Sequence, residues 1–202
     1  MAQQHLPFKP VRIGQHVTPD PRLADLMRWG RIFHKLGLAP SYGAGSHGNV
    51  SCRTPDGCLI SATRTFLETI TEAQFVELIG CDLTTPPPTV RYRGASAPST
   101  DSLIHWYLYQ QRPELSCVLH AHDALVLTHA TALRLPQTAR AADAGSADLL
   151  PLIVPLIQHP YFLVKAHGFV ATGRTADEAG SLALAMHHRA ETLALNEKSA
   201  LR

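Results

Sequence analysis

Two histidines separated by one residue are the side chains in this sequence best suited to chemistry. They end the run Ser-Cys-Val-Leu-His-Ala-His at residues 116–122, whose apolar character predicts a β-strand. Because successive strand residues point to opposite faces, His120 and His122 should project from the same side of a sheet. Neutral imidazole is a favoured zinc ligand, so the pair can share one cation. Taken alone, this spacing fits two structural histidines on a sheet equally well.

A third histidine, His167, and a carboxylate, Asp101, extend this pair to a candidate metal centre. Three histidine ligands leave a tetrahedral metal with one open position, as in catalytic zinc sites, whereas structural zinc is usually closed by four protein ligands. The open position can polarise a carbonyl or enediolate oxygen or activate water, and a nearby carboxylate adds a ligand or a base. Imidazole ligands suit Zn²⁺, Mn²⁺ and Co²⁺, so the residue types do not choose among these cations.

Asp101 follows Ser99 and Thr100 directly, at the predicted start of a helix over residues 100–111. Hydroxyl groups and backbone amides at a helix N-terminus suit an anion. Acids are also common in first helical turns for their effect on the helix dipole alone, which is the structural alternative for Asp101. Together with the histidines, these residues predict metal-assisted chemistry on an oxygen-rich, anionic small molecule.

Helices and strands alternate along the chain, which predicts an α/β domain. A first helix should begin at Asp20, as N-cap, and stop at Gly37. The other predicted elements are a hairpin of residues 50–53 and 58–62, a short helix with the capping box Thr71/Gln74, a strand within 75–83, helices over 100–111 and 123–132, a strand over 161–166 that delivers His167 and resumes at 169–172, and a long helix with the capping box Thr175/Glu178.

Two segments look different from the rest of the chain. Residues 84–98 contain three consecutive prolines and predict a stiff connection within the domain. Residues 1–19 are polar and are interpreted as an N-terminal arm on the body or on a neighbouring subunit. Residues 20–202 are then a single domain, a size that 202 residues allow.

Composition argues against several classes of protein. The chain has 18 basic and 16 acidic residues, a formal net charge of +2 and no long basic run, so no nucleic-acid interface is expected. The longest apolar run, residues 149–157, contains two prolines and is too short to span a bilayer. Residues 1–10 lack the apolar stretch of a secretory signal. The four cysteines are scattered without a Cys-x-x-Cys pair, which favours reduced thiols in a cytoplasmic protein.

Five short motifs, in order, resemble the class II aldolase/adducin family across about residues 22–195. They are Gly48-Asn49-Val50-Ser51, Leu59-Ile60-Ser61-Ala62-Thr63, Pro98-Ser99-Thr100-Asp101 with His105, His120-Ala121-His122, and His167-Gly168. The resemblance implies a three-layer α/β/α sandwich with a central, largely antiparallel sheet. It also implies a homotetramer with its sites between subunits.

Carried over by position, the resemblance implies that a metal, zinc in the family's aldolases, is bound by His120, His122 and His167. Asp101 takes the position of the acid/base that moves the substrate proton while the metal stabilises an enediolate. The resemblance further implies that a phosphate or similar anion is held by Gly48, Asn49, Thr63, Ser99 and Thr100.

Two departures from the family pattern are visible. Position 101 is Glu in the aldolases and Asp in the pentulose-phosphate epimerases, and the shorter Asp101 could instead hold the metal. Arg64 stands where the family's anion loop usually has Gly, and its guanidinium could form a forked contact with a phosphate or carboxylate, fill the pocket, or lie exposed.

The function favoured by the resemblance is a metal-dependent lyase that cleaves or forms a C–C bond in a small, phosphorylated ketose. A sugar-phosphate 4-epimerase, a dehydratase or a decarboxylase on the same site is the alternative. A non-catalytic, adducin-like association domain is disfavoured because all three histidines are present.

Overall fold

The computed structural model describes residues 6–200, and its centre is a large β-sheet. The strands within this range are β1 (Lys9–Gly14), β2 (Ser41–Tyr42), β3 (Gly45–Ser46), β4 (Gly48–Arg53), β5 (Cys58–Ser61), β6 (Phe75–Asp82), β7 (Thr89–Arg93), β8 (Cys117–Ala121), β9 (Tyr161–Val164) and β10 (Gly168–Gly173). Eight of them form one sheet in the order β1-β7-β6-β5-β4-β8-β10-β9, and β2 and β3 form a small separate hairpin. Within the large sheet only β1 and β7 pair in parallel, so the predicted largely antiparallel sheet is confirmed.

Helices cover both faces of this sheet. They are α1 (Leu23–Lys35), α2 (Ser102–Gln111), α3 (Ala124–Thr128), α4 (Leu149–Ile153) and α5 (Ala176–Ala200). Residues of α1, α3 and α5 share one hydrophobic core with one face of the sheet, and residues of α2 and α4 share a second core with the other face. The predicted three-layer α/β/α sandwich is therefore confirmed. None of the helices in the described range is long and apolar enough to cross a membrane.

Strand β8 lies between the two cores and shows the predicted alternation. Leu119 and Ala121 belong to the core beneath α1 and α5, whereas Val118 belongs to the core beneath α2. Since side chains alternate along a strand, His120 projects on the same side as Val118. The hairpin predicted around residues 55–57 is also present, as β4 and β5.

Strands β1 and β7, which form one edge of the large sheet, were not predicted from the sequence. Strand β7 lies inside the segment 84–98, predicted as a connection, and its Val90 and Tyr92 are buried. Strand β1 lies inside the predicted N-terminal arm and adds to the sheet edge through backbone pairing with β7. Residues 1–5 of that arm lie outside the described residues, and the division into an arm and a domain stays a prediction.

Three element boundaries near the histidines differ from the predictions. Helix α2 begins at Ser102, with Asp101 as its N-cap residue, because the Ser99 carbonyl accepts from the Ser102 amide in a turn before the helix. Helix α3 ends at Thr128, before the predicted end at 132, and residues 129–134 continue as turns up to Arg134, whose φ is 53°.

The third difference concerns His167, which lies in a tight turn and not at the end of a continuing strand. Strand β9 ends at Val164, and β10 runs back antiparallel to it from Gly168. The turn is closed by a 3.0 Å hydrogen bond from the His167 amide to the Val164 carbonyl, with Ala166 at a φ of 58°. A histidine in such a turn projects beyond the end of the sheet.

Candidate metal centre

The three histidines predicted to bind a metal converge at the end of β8. Their potential ligand atoms all lie within 4.8 Å of one another. The Nε2 atoms of His120 and His122 are 3.1 Å apart. The ring of His167 lies 4.8 Å from that of His120 and 4.4 Å from that of His122, measured between centroids. The cluster can therefore offer three imidazole nitrogens to one cation.

Two glycines allow the backbone to bring these rings together. Gly48 has a φ of 137° and pairs with Ala121, and an added Cβ there would lie 2.6 Å from the His120 carbonyl oxygen. A Cβ on Gly168 would lie 2.4 Å from the Ala121 carbonyl oxygen and within 3.0 Å of ring atoms of both His120 and His122. Any larger side chain at position 168 would push against the histidine cluster.

Hydrogen bonding and burial fix the state of the imidazoles. His120 Nδ1 lies 2.7 Å from the Phe169 carbonyl oxygen, so Nδ1 donates and Nε2 carries the free lone pair. Burial lowers the pKa of His120 well below its usual value, and burial together with the neighbouring imidazoles lowers the pKa of His122 to about 2. Both rings are neutral at physiological pH, which is the state that binds metals.

Asp101 lies beside the cluster, 4% exposed. Its Oδ2 accepts a 2.7 Å hydrogen bond from Asn49 Nδ2 and lies 3.7 Å from His120 Nε2. Its Oδ1 lies 3.9 Å from His167 Nε2, and both of these buried atoms have no hydrogen-bond partner within residues 6–200. A buried carboxylate oxygen and a buried imidazole nitrogen without partners are costly. A divalent cation bound to the imidazole nitrogen would satisfy that atom and would balance the charge of the nearby carboxylate. The donor set therefore fits a metal ion.

A cleft of about 280 Å³ opens beside the histidines. It is lined by all of the predicted anion-binding residues, Gly48, Asn49, Thr63, Arg64, Ser99 and Thr100, together with Asp101, His122 and His167. Arg64 is the only Arg or Lys among the described residues of this lining. Its φ of 58° places a non-glycine residue in the left-handed region, which costs energy.

Sequence reasoning did not pick out two rings at this cleft. His47 stacks on His122 with centroids 4.8 Å apart and an interplanar angle of 26°, and Tyr42 packs on His47 at 4.8 Å. Both lie in the glycine-rich turn of residues 42–50, and a histidine next to Gly48-Asn49 is the signal that could have found them.

His105 follows Asp101 by one helical turn, but its ring is hydrogen-bonded to strand β4 and does not join the histidine cluster. Its Nδ1 lies 2.7 Å from the Ser51 hydroxyl, which also lies 2.8 Å from the Tyr109 hydroxyl. His105 is fully buried, and burial lowers its pKa to about 4. This neutral network ties α2, and with it Asp101, to β4.

The fold and this geometry can be compared with known proteins. The family model described as the class II aldolase and adducin N-terminal domain matches residues 24–194. The chain belongs to this family. Class II aldolases typically use a divalent metal, and the three-histidine cluster is able to bind one.

Relatives of this chain carry two different reaction names. A methylthioribulose-1-phosphate dehydratase of Pseudoalteromonas translucida is 29% identical over 185 residues, which cover 77% of this chain and 82% of the relative. An L-fuculose phosphate aldolase of Escherichia coli O6:H1 is 28% identical over 167 residues, which cover 74% of this chain and 72% of the relative. Membership of the family therefore leaves the reaction open.

Solved class II aldolase structures share the fold. The L-fuculose-1-phosphate aldolase from Thermus thermophilus superposes with a TM-score of 0.69 at 20% identity, covering 90% of this chain and 97% of that one. A sugar-phosphate aldolase from Thermotoga maritima gives 0.70 at 20% identity, covering 90% and 96%. At this identity the likeness concerns architecture alone.

Proposed function

We propose that this chain is a metal-dependent lyase acting next to the carbonyl group of a small, phosphorylated ketose. The observation that carries the proposal is that three imidazoles offer ligand atoms within 4.8 Å of one another, beside the Oδ1 of Asp101, which has no hydrogen-bond partner among the residues that the structure describes. An open metal position, a carboxyl group and an anion pocket are the parts that such chemistry needs.

In this proposal His120, His122 and His167 hold Zn²⁺, or Mn²⁺ or Co²⁺ in its place. The bound cation supplies Lewis-acid polarisation of the substrate carbonyl. The protein orients His120 through the hydrogen bond from its Nδ1 to the Phe169 carbonyl oxygen. Burial keeps the imidazoles of His120 and His122 unprotonated. The substrate phosphate is held by Gly48, Asn49, Thr63, Arg64, Ser99 and Thr100, which line the same cleft.

Asp101 is the proposed acid/base. Asn49 donates to its Oδ2, which leaves Oδ1 to exchange a proton with the substrate. In aldol cleavage the bond between C3 and C4 of the ketose breaks, and its electron pair stays with C3. Asp101 accepts the proton of the C4 hydroxyl as the aldehyde forms and delivers it to C3, so that protons balance.

Dehydration is the second candidate, because relatives from three different bacteria are named methylthioribulose-1-phosphate dehydratase. Here Asp101 removes the proton from C3, the bond between C4 and its hydroxyl breaks, and the same carboxyl returns the proton to the departing hydroxyl. Water is lost and an enol remains. The same starting geometry serves both reactions, because each moves a proton at the carbon next to the carbonyl.

Product analysis separates these candidates. Purified protein loaded with Zn²⁺ is incubated with a panel of ketose 1-phosphates, including 5-methylthioribulose 1-phosphate, and the products are examined by mass spectrometry and NMR. Aldol cleavage yields an aldehyde and a shorter ketose phosphate, dehydration yields loss of one water, and epimerisation yields an isomer of unchanged mass. Absence of turnover across the panel, with no metal bound, would overturn the proposal.

We also propose a homotetramer in which a second subunit completes the cleft. Tyr42, which lines the cleft, is 38% exposed, and Phe66, two residues after Arg64, is 39% exposed. Exposed aromatic side chains beside a site are typical of subunit contacts. Light scattering on the purified protein gives the mass of the assembly, and a monomer at micromolar concentration would refute this part.

A further inference from the structure

His122 differs from His120 in how its ring is oriented. The Nδ1 of His120 donates to the Phe169 carbonyl oxygen, which fixes both the tautomer and the plane of the ring. Within residues 6–200 the Nδ1 of His122 makes no hydrogen bond, and its Nε2 faces His120. A metal-binding histidine is normally oriented by a hydrogen bond from its second nitrogen. His122 therefore needs another source of orientation.

The ring of His47 supplies a contact of the right kind. It lies nearly parallel to His122, with an interplanar angle of 26° and centroids 4.8 Å apart. The ring of Tyr42 packs against the ring of His47, with centroids 4.8 Å apart and an interplanar angle of 43°. The three rings form a row that begins at the candidate metal centre and ends at Tyr42, which is 38% exposed.

The backbone holds this row in place. The His47 amide donates a 2.9 Å hydrogen bond to the Pro40 carbonyl oxygen, and Tyr42 pairs with Gly45 across the β2–β3 hairpin. Gly48 then brings the chain directly against the backbone of His120. The backbone of His47 is thus held by contacts at residue 47 and at the following glycine, although the side chain of His47 is exposed.

We propose that His47 is a positioning residue that orients the His122 imidazole for metal binding through ring stacking, with Tyr42 behind it. This inference rests on the proposed metal site. It assigns His47 no bond to the cation, since its nitrogens are not part of the group that converges within 4.8 Å. Ring pairs of this type are worth enough to change an affinity roughly two- to tenfold.

Cobalt titration tests this role. Co²⁺ is added to the metal-free protein while visible absorption reports both the dissociation constant and the ligand geometry. The variants are His47→Ala, His47→Phe and, as a matched control, His188→Ala. His188 is an exposed histidine on α5 whose ring lies on Glu191, away from the cleft lining.

His47→Ala should weaken Co²⁺ binding roughly two- to tenfold and alter the absorption spectrum, with circular dichroism unchanged. His47→Phe keeps a ring without nitrogens and should restore both affinity and spectrum, and His188→Ala should match the wild type. An unchanged affinity and spectrum in His47→Ala would overturn the inference. So would a loss of affinity in His47→Phe as large as in His47→Ala, because it would assign the effect to a nitrogen. A wild-type protein that binds no Co²⁺ would refute the metal site itself.

Discussion

Replacing Arg64 with glycine should raise stability and weaken substrate binding in the same protein. Arg64 has a φ of 58°, a region that glycine enters freely and other residues enter at a cost of about 1–2 kcal/mol. Removing that strain is opposed by the greater freedom of glycine in the unfolded chain, about 0.5–1 kcal/mol. The net expectation is a gain of about 0.5–1 kcal/mol, or a rise in Tm of about 1–4 °C.

The loss of binding follows from charge. Arg64 is the only Arg or Lys that lines the cleft within the described residues, so the variant leaves the anion to neutral donors and histidines. Hydrogen bonds to a charged partner are worth about 1.5–3 kcal/mol. Because Arg64 is exposed, we expect the lower value, which corresponds to an increase of about tenfold in KM for a phosphorylated substrate.

The chain offers a matched control for this experiment. Arg134 is exposed, has a φ of 53° and lies outside the cleft lining, so Arg134→Gly changes strain and charge alike without touching the site. Thermal unfolding and steady-state kinetics are measured for both variants with the phosphorylated ketose turned over by the wild type. Equal KM values for Arg64→Gly, Arg134→Gly and the wild type would refute the assignment of Arg64 to the anion.

Three further changes test other parts of the site. Gly168→Ala should weaken metal binding at least tenfold, measured by competition with a chelator, because its Cβ would meet His120 and His122 within 3.0 Å; an unchanged affinity would show that the backbone there yields easily. Asp101→Asn should lower kcat by about 10²–10⁴ while Co²⁺ is still bound, and full activity would remove Asp101 from proton transfer. Lowering the pH from 7 to 5 should destabilise the metal-free protein. The folded pKa values of His105 and His122, about 4 and about 2, lie below the unfolded value, so between these pH values the unfolded chain takes up protons and the folded protein does not. The expected loss of unfolding free energy is roughly 2 kcal/mol for each of the two histidines. Urea unfolding at both pH values measures the difference, and equal midpoints would contradict it.

Much of the site could be predicted because its signals are local. The alternation of strand side chains predicts that His120 projects from one face, and the structure confirms it through the two cores on either side of β8. Ser99, a residue type that is common at helix starts, predicts that a helix begins near Asp101, and α2 begins at Ser102. The glycine after His167 marks the close approach of β10 to the end of β8, where an added Cβ would lie 2.4 Å from the Ala121 carbonyl oxygen.

The remainder depends on contacts between distant parts of the chain. Strand β1 has no buried face along its length, and only its pairing with β7, about 80 residues later, makes it a strand. The row formed by Tyr42, His47 and His122 arises because the β2–β3 hairpin folds against the end of β8. No local pattern predicts ring stacking between residues 75 positions apart. Tertiary pairing of this kind overrides local propensity.

In the proposed site three imidazoles share one divalent cation, and anomalous diffraction can locate that cation. Crystals of the protein grown with Zn²⁺ are measured on both sides of the zinc absorption edge. We expect one strong anomalous peak per chain, about 2.0–2.1 Å from a ring nitrogen of each of His120, His122 and His167, beside Asp101. No peak at this position, or a peak from which the His167 ring is turned away, would contradict the proposed site.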